Sequence, residues 1–378
     1  LNTERLLNDF FDLVRIKSPA RNERAIADVL AARMAAMGME VAEDDVGEKI
    51  GGNAGNLFGF LKGSVPDAPC LLLSVHMDTV EPCDNIKPQL KDGVITSDGT
   101  TILGADCKAG LAAIFEAVRV VLETGEPRGD IQLVITVAEE GGVNGSKHLD
   151  PARLRADLGF VLDTNGAPGL VVVQAPGKDR IDVVIHGKKA HAGIAPEKGV
   201  NAVALAGRAL ARLPMGRLDD ETTINVGMIS GGGATNVVPD RVEFSMETRS
   251  QNKTKLDFLT AQACLLIEEE AVRGGGRAEI LMKRDYEPYA LSEDAPQVAL
   301  VRRAMASVGL TPVFKGTGGG SDANFFNSYG VPTAVLATGM TNVHTVEECI
   351  LENDLYTLGK LALAIIRTAA GTRRGEPV

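Results

Sequence analysis

The sequence predicts an α/β protein: a largely parallel sheet covered by helices, interrupted by a smaller α+β domain. Three observations lead there. Apolar strand-like runs alternate with helical periods over residues 3–176. The runs CLLLSV, IQLVITV and LGFVLD are apolar on both faces, as strands covered on each side should be. Between about 179 and 290 the rhythm becomes strand, helix, strand, strand, helix, strand, the order of a ferredoxin-like unit.

In chain order, helical periodicity places helices at 4–16 and 22–37, followed by strands near 40–45 and 56–62. A strand over 70–76, a helix over 108–124 and strands at 131–138 and 158–163 continue the layered pattern. RIDVVIHG then opens the second unit. It is followed by the helix NAVALAGRALARLP, the strands TTINVGMI and RVEFSMETR, the helix KLDFLTAQACLLIEEEAV and the strand RAEILMKR. The first rhythm resumes with a helix at 295–308, the Gly-rich turn GTGGGSD, the strand PTAVLAT and a closing helix at 352–370. The first domain is therefore discontinuous, 1–178 and 291–378, around an insert of 179–290. The triple glycines read as a loop after a strand (231–233) and a helix-ending turn (274–276).

A chain of 378 residues is long for one core, which agrees with two domains. No uninterrupted apolar stretch is long enough to cross a bilayer. The net charge of −11, with no Lys/Arg cluster, argues against a nucleic-acid partner, because phosphate binding needs a basic face. Five cysteines (Cys70, Cys83, Cys107, Cys264 and Cys349) are odd in number and lack CxxC spacing, so reduced thiols in the cytoplasm are expected. The opening LNTERLLNDFFDLV reads as an amphipathic helix without a basic flank or cleavage site, and no secretory signal is expected.

The chemistry gathers where strands end. LLLSVHMDTV finishes a core strand on His76 and Asp78, which share a face because side chains alternate along a strand. Asp106 stands in LGADCKAG, Glu139 and Glu140 in TVAEEGG, Asp163 in VLDTNG, and His344 in NVHTVEE. In open α/β sheets ligands bind outside the C-terminal strand ends. Two histidines and several carboxylates at one rim form the donor set of a zinc site. Each residue also has a plainer reading. An aspartate before a helix is a ready N-cap, EE after a strand is a solvated turn, and a loop histidine is commonly exposed.

Together the segments HMDTV, GADCKAG, EEGG, the VLD strand end, GKKAHAG..PEKG.NAV, NVVPD, ETRS, GGGSDANFF and HTVEE resemble one family over nearly the whole chain. It is the di-zinc metallopeptidase family of peptidase T, carboxypeptidase G and the N-acyl amino acid deacylases, and the spelling is most similar to the peptidase T-like branch. The resemblance implies two zinc ions per subunit, with cobalt or manganese as alternatives. It makes Asp106 their bridging carboxylate, with His76 and Asp163 on one ion and Glu140 and His344 on the other. Asp78 matches a carboxylate that orients the His76 imidazole, and Glu139 the general base acting on a water between the metals. The Asp106–Cys107 peptide is cis in the family, and Cys107 stands where aspartate is more usual. The inserted domain matches a lid that also carries the dimer surface, with His191 reaching the partner's active site to stabilise an oxyanion. Asn236 and Arg249 match residues near the substrate carboxylate, although a strand-end ion pair explains Arg249 equally well. Gly319, Gly320 and Ser321 match a substrate-backbone loop. His148 and His186 match no functional position.

The resemblance thus implies a cytoplasmic, homodimeric exopeptidase of short peptides, tripeptides foremost. A deacylase of N-acyl amino acids with the same centre is the alternative, since both substrates present a carboxylate. A catalytically silent peptide-binding relative is a third reading, which the complete donor set and Glu139 oppose.

Overall fold

The computed structural model of the chain describes residues 1–375. It divides into two compact units. One comprises Leu1–Val173, Leu291–Gly316 and the chain from Ser321 onward, the other Gln174–Ala290 with Thr317–Gly320.

In the first unit the central strands Ile131–Thr136, Leu71–His76, Leu158–Thr164 and Thr333–Ala337 lie side by side and parallel. The flanks are antiparallel. Leu57–Leu61 pairs with Ile131–Thr136, and Glu40–Glu43 with Leu57–Leu61. Leu170–Ala175 closes on Thr333–Ala337 from the other side. The segment between Glu43 and Leu57 holds only the short helix Val46–Ile50, too little for the crossover that a parallel pair requires.

The helices follow their apolar periodicity. Thr3–Val14, capped by the Asn2 side chain on the Arg5 amide, buries Leu6, Phe10, Leu13 and Val14. Arg24–Ala36 buries Ile26, Ala27, Leu30 and Met34. Ala105–Thr124 packs on both Thr3–Val14 and Glu352–Ala370. Its backbone is non-helical at Asp106 and Cys107, so regular helix begins at Lys108, where the sequence pattern puts it. Gly110 lets this helix close on the sheet: a Cβ there would lie 2.6 Å from the Leu162 carbonyl oxygen and 2.8 Å from Val75 Cγ1.

Some boundaries shift by a turn. The strand expected over 131–138 ends at Thr136, because the chain turns at Ala138 with φ of 49°. A small sheet of Gln89–Lys91, Val94–Thr96, Cys349–Leu351 and Met340–Thr341 has no counterpart in the sequence reading. Its strands are too short to show alternation, and only the Asp92–Gly93 turn, both residues left-handed, marks the hairpin.

The second unit has the expected order: Gly177–His186, helix Ala202–Arg212, Thr222–Gly231, Arg241–Ser250, helix Lys253–Arg273 and Arg277–Tyr286. All its strand pairs are antiparallel, and Gly177–His186 lies between Arg241–Ser250 and Arg277–Tyr286. Alternate residues of Arg241–Ser250 are buried, as one covered face requires. Its core gathers Ile181, Val183, Ile185, Leu205, Phe244, Met246 and Ile267. The strand reaches Gly231, one residue into the triple glycine expected as loop. Thr317–Gly320 joins this unit through a Gln251 Nε2 bond to the Thr317 carbonyl (2.7 Å) and the packing of Gly320 against Tyr286.

Candidate metal centre

Parallel pairing delivers the strand ends to one rim, and His76 stands opposite Thr136 in register. Nδ1 of His76 lies 2.9 Å from the backbone carbonyl of Asp78 and 3.5 Å from its Oδ1. The carbonyl is thus the nearer acceptor for an Nδ1 proton, which leaves Nε2 to face the cluster. The Asp78 carboxylate has other bonds as well. It accepts the amides of Glu139 (3.0 Å) and Glu140 (3.1 Å).

Five of the expected residues meet in two groups that share one member. His76 Nε2 is 3.0 Å from Asp106 Oδ1 and 3.5 Å from Asp163 Oδ1. His344 Nε2 is 3.3 Å from Asp106 Oδ2 and 3.0 Å from Glu140 Oε2. The two oxygens of Asp106 therefore face different histidines. Donor atoms of His76, Asp106, Cys107 and Asp163 all lie within 4.8 Å of one another, as do those of Asp106, Glu140 and His344. The Asp106–Cys107 peptide is cis, as the resemblance implies. The Cys107 thiol is fully buried, donates to the Leu162 carbonyl at 2.7 Å, and has its pKa raised by burial, so it stays protonated.

Electrostatics fit a cation. Burial lifts Asp163 and Glu140 to about 7 each, and Glu139 is raised by burial and then by the charge of Asp163. Burial also works on Asp106, but its hydrogen bonds with His344 and His76 hold it below the ordinary range. His76 is raised although burial opposes its charge, because Asp163 and Asp106 outweigh the lost solvation. The bond to Asp106 lifts His344 to about 9. Carboxylates so crowded repel one another unless a positive charge sits among them. Glu140 Oε1 is buried without a hydrogen-bond partner, and divalent ions bound by nitrogen and oxygen donors suit this set.

The turn that carries Glu139 and Glu140 is held by side chains from elsewhere in the chain. The Val137 amide donates to Asn56 Oδ1 and the Ala138 amide to Glu23 Oε1, each at 3.0 Å, and the next two donate to Asp78. Sequence reasoning missed Asn56 and Glu23, since neither lies near a motif. Glu23 is fully buried and lifted by burial to about 7. Also missed were Lys108, whose buried Nζ donates to the Ile16 carbonyl (2.9 Å), Asp322, which accepts from Thr136 Oγ1 (2.5 Å), and Glu348. Lys108, Asp322 and Glu348 stand inside quoted motifs, and a charge there that matches no ligand was their available signal.

The remaining expected residues are distributed between the units. Ser321 caps the helix Asp322–Ser328 in a capping box with Asn324. In the second unit His191 bridges to Val237, and the Ala192 amide donates to the Asn236 carbonyl at 2.9 Å, which brings His191 and Asn236 together. Gly319 donates to Thr317 Oγ1 (3.3 Å). Arg249 already holds Glu247 through Nε (2.8 Å) and Nη2 (3.2 Å), while Nη1 reaches Tyr286 Oη and the Gly318 carbonyl, both at 3.4 Å.

The parallel centre of the sheet thus carries clustered histidines and carboxylates at its C-terminal rim, where α/β folds bind ligands, and this donor set suits a metal ion. The chain belongs to peptidase family M20/M25/M40, whose model matches residues 72–368. It is 39% identical over 370 residues to the uncharacterized protein YqjE of Bacillus subtilis (strain 168), covering 98% of this chain and all of that one. Among solved structures it is similar to aminopeptidase PepT from Bacillus cereus: 42% identity, TM-score 0.93, 98% of this chain and 99% of that one. A tripeptidase from Staphylococcus aureus matches at 38% identity and TM-score 0.94, over 98% of this chain and 100% of that one. The chain is a peptidase. Among the described residues no helix is long and apolar enough to cross a membrane.

Proposed function

We propose that the chain is a dinuclear-metal exopeptidase that removes a residue from short peptides, tripeptides foremost. One observation carries the reading: the two oxygens of Asp106 face separate histidine groups. The similar solved chains titled aminopeptidase PepT and tripeptidase support the substrate class.

In this reading His76 and Asp163 would hold one ion and Glu140 and His344 the other, with one oxygen of Asp106 facing each group. Zinc suits imidazole and carboxylate donors, which also accept cobalt or manganese. Ions held there would supply Lewis acidity and would lower the pKa of a water. Glu139, with its pKa raised, takes the water's proton and passes it to the leaving amine. The Asp78 carboxylate fixes the backbone from which Glu139 and Glu140 project. The second unit acts as lid and dimer surface, its His191 stabilising the oxyanion across the dimer. Gly319, Gly320 and Ser321 position the substrate backbone, and Asn236 stands near the substrate carboxylate. Arg249 offers Nη1 to the substrate carboxylate, since Glu247 holds its other two nitrogens. The five free cysteines support a reducing, cytoplasmic setting.

The test is to strip the protein with a chelator, follow tripeptide hydrolysis, and restore zinc, cobalt or manganese in counted equivalents. Activity should vanish and return with two equivalents. Undiminished hydrolysis after complete stripping would refute the proposal.

A further inference from the structure

Asp106 has two candidate tasks, capping the helix that follows it and spanning two ions, and a distant side chain, Glu348, holds the backbone on which Asp106 stands. The amides of Leu103 (2.9 Å) and Gly104 (2.7 Å) donate to Glu348 Oε2, and the amide of Asp106 (3.0 Å) donates to Glu348 Oε1. These three donors lie in the turn that leads into the regular helix beginning at Lys108, and Gly104 in that turn is left-handed. Glu348 is 1% exposed, so its charge is held almost entirely by these amides. A carboxylate from a distant segment thus holds this turn, and the Asp106 side chain faces His76 and His344.

Glu348 also roots the loop that carries His344. Its own amide bonds to the Thr345 carbonyl (3.1 Å), closing a turn that starts one residue after His344, whose backbone is left-handed. Beyond it, Cys349–Leu351 pairs with Val94–Thr96. One side chain therefore ties the segment bearing the shared carboxylate to the segment bearing the second histidine. A metal site needs its donors placed to within about 0.5 Å, and such a tie sets that placement.

We infer that Glu348 is a positioning residue that holds Asp106 and His344 in register for two metal ions, an inference that rests on the metal reading above. The variant Glu348→Gln replaces one acceptor oxygen by an NH₂ group, which then faces an amide donor. Zinc and cobalt affinities are measured by chelator competition, alongside the visible spectrum of the cobalt-loaded protein and thermal unfolding. Affinity should fall about 10–100-fold and the cobalt spectrum should change, while Glu347→Gln, one residue away and exposed, leaves both unaltered. Wild-type affinity and spectrum in Glu348→Gln, with only a lower melting temperature, would reduce the residue to a structural anchor and overturn the inference. Amide hydrogen exchange in zinc-loaded wild type tests the tie without a variant: Leu103, Gly104 and Asp106 should be protected, and exchange at the rate of exposed loops overturns it. If the wild type itself binds no ion, the metal reading falls and this inference with it. If it binds two and the variant binds them equally well, only this inference falls.

Discussion

Replacing Asp78 by Asn changes one buried atom from acceptor to donor and leaves the shape intact. The carboxylate accepts the amides of Glu139 and Glu140 at 3.0 and 3.1 Å. A carboxamide keeps one of these bonds and sets its NH₂ against the other amide. A hydrogen bond to a charged group is worth about 1.5–3 kcal/mol and an orphaned buried donor costs about 1–3 kcal/mol; these overlap, so a net loss of about 2–3 kcal/mol is expected. Part of it falls on the metal, because the turn that slips carries Glu140 and because the same carboxylate lies 3.5 Å from His76 Nδ1. Zinc affinity should drop about 10–100-fold. The assay pairs urea unfolding of the stripped protein with chelator competition for zinc. Unchanged affinity together with an unchanged midpoint would refute the positioning argument.

Glu139→Gln should retain both ions and lose about 10²–10⁴ in turnover; metal analysis that finds an empty site would reassign the residue. In protein stripped of metal, protons on His344 (about 9) and on Glu140 and Asp163 (about 7) compete with the ions. Affinity should therefore rise as pH rises from 6 to 9, with protons released on binding, and calorimetric heats independent of the buffer's ionisation enthalpy would contradict this. Gly110→Ala places a methyl group 2.6 Å from a backbone oxygen that cannot yield, so a loss of about 1–3 kcal/mol in urea unfolding is expected. A neutral result would show that the helix can shift.

Much of this was legible because it rests on local pattern. The buried parallel strands declare themselves by apolar runs, and parallel pairing fixes where their ends go. His76, Asp78, Glu139, Glu140 and Asp163 can therefore be gathered at one rim from the sequence, whereas the choice of His76, Asp106, Glu140, Asp163 and His344 as metal ligands is what the family resemblance implies. The inserted unit is legible from the order of its elements and from alternation in Arg241–Ser250. What escaped depends on contacts between distant segments. Glu348 accepts amides some 240 residues earlier in the chain, and Glu23 holds an amide 115 residues later. No local spacing encodes either pairing. The short strands around Val94 and Cys349 escaped because three residues give no period. Asp78 was read as an orienter of His76; its part in holding the Glu139–Glu140 turn emerges only when the two strand ends lie side by side.

The most direct test of the central claim is product identification by mass spectrometry, after zinc-loaded protein is incubated with pooled free di- and tripeptides and their N-acetylated counterparts. Release of the N-terminal residue from free tripeptides, with the acetylated pool untouched, is the predicted result. Cleavage confined to the acetyl amides would contradict the exopeptidase account and make the chain a deacylase.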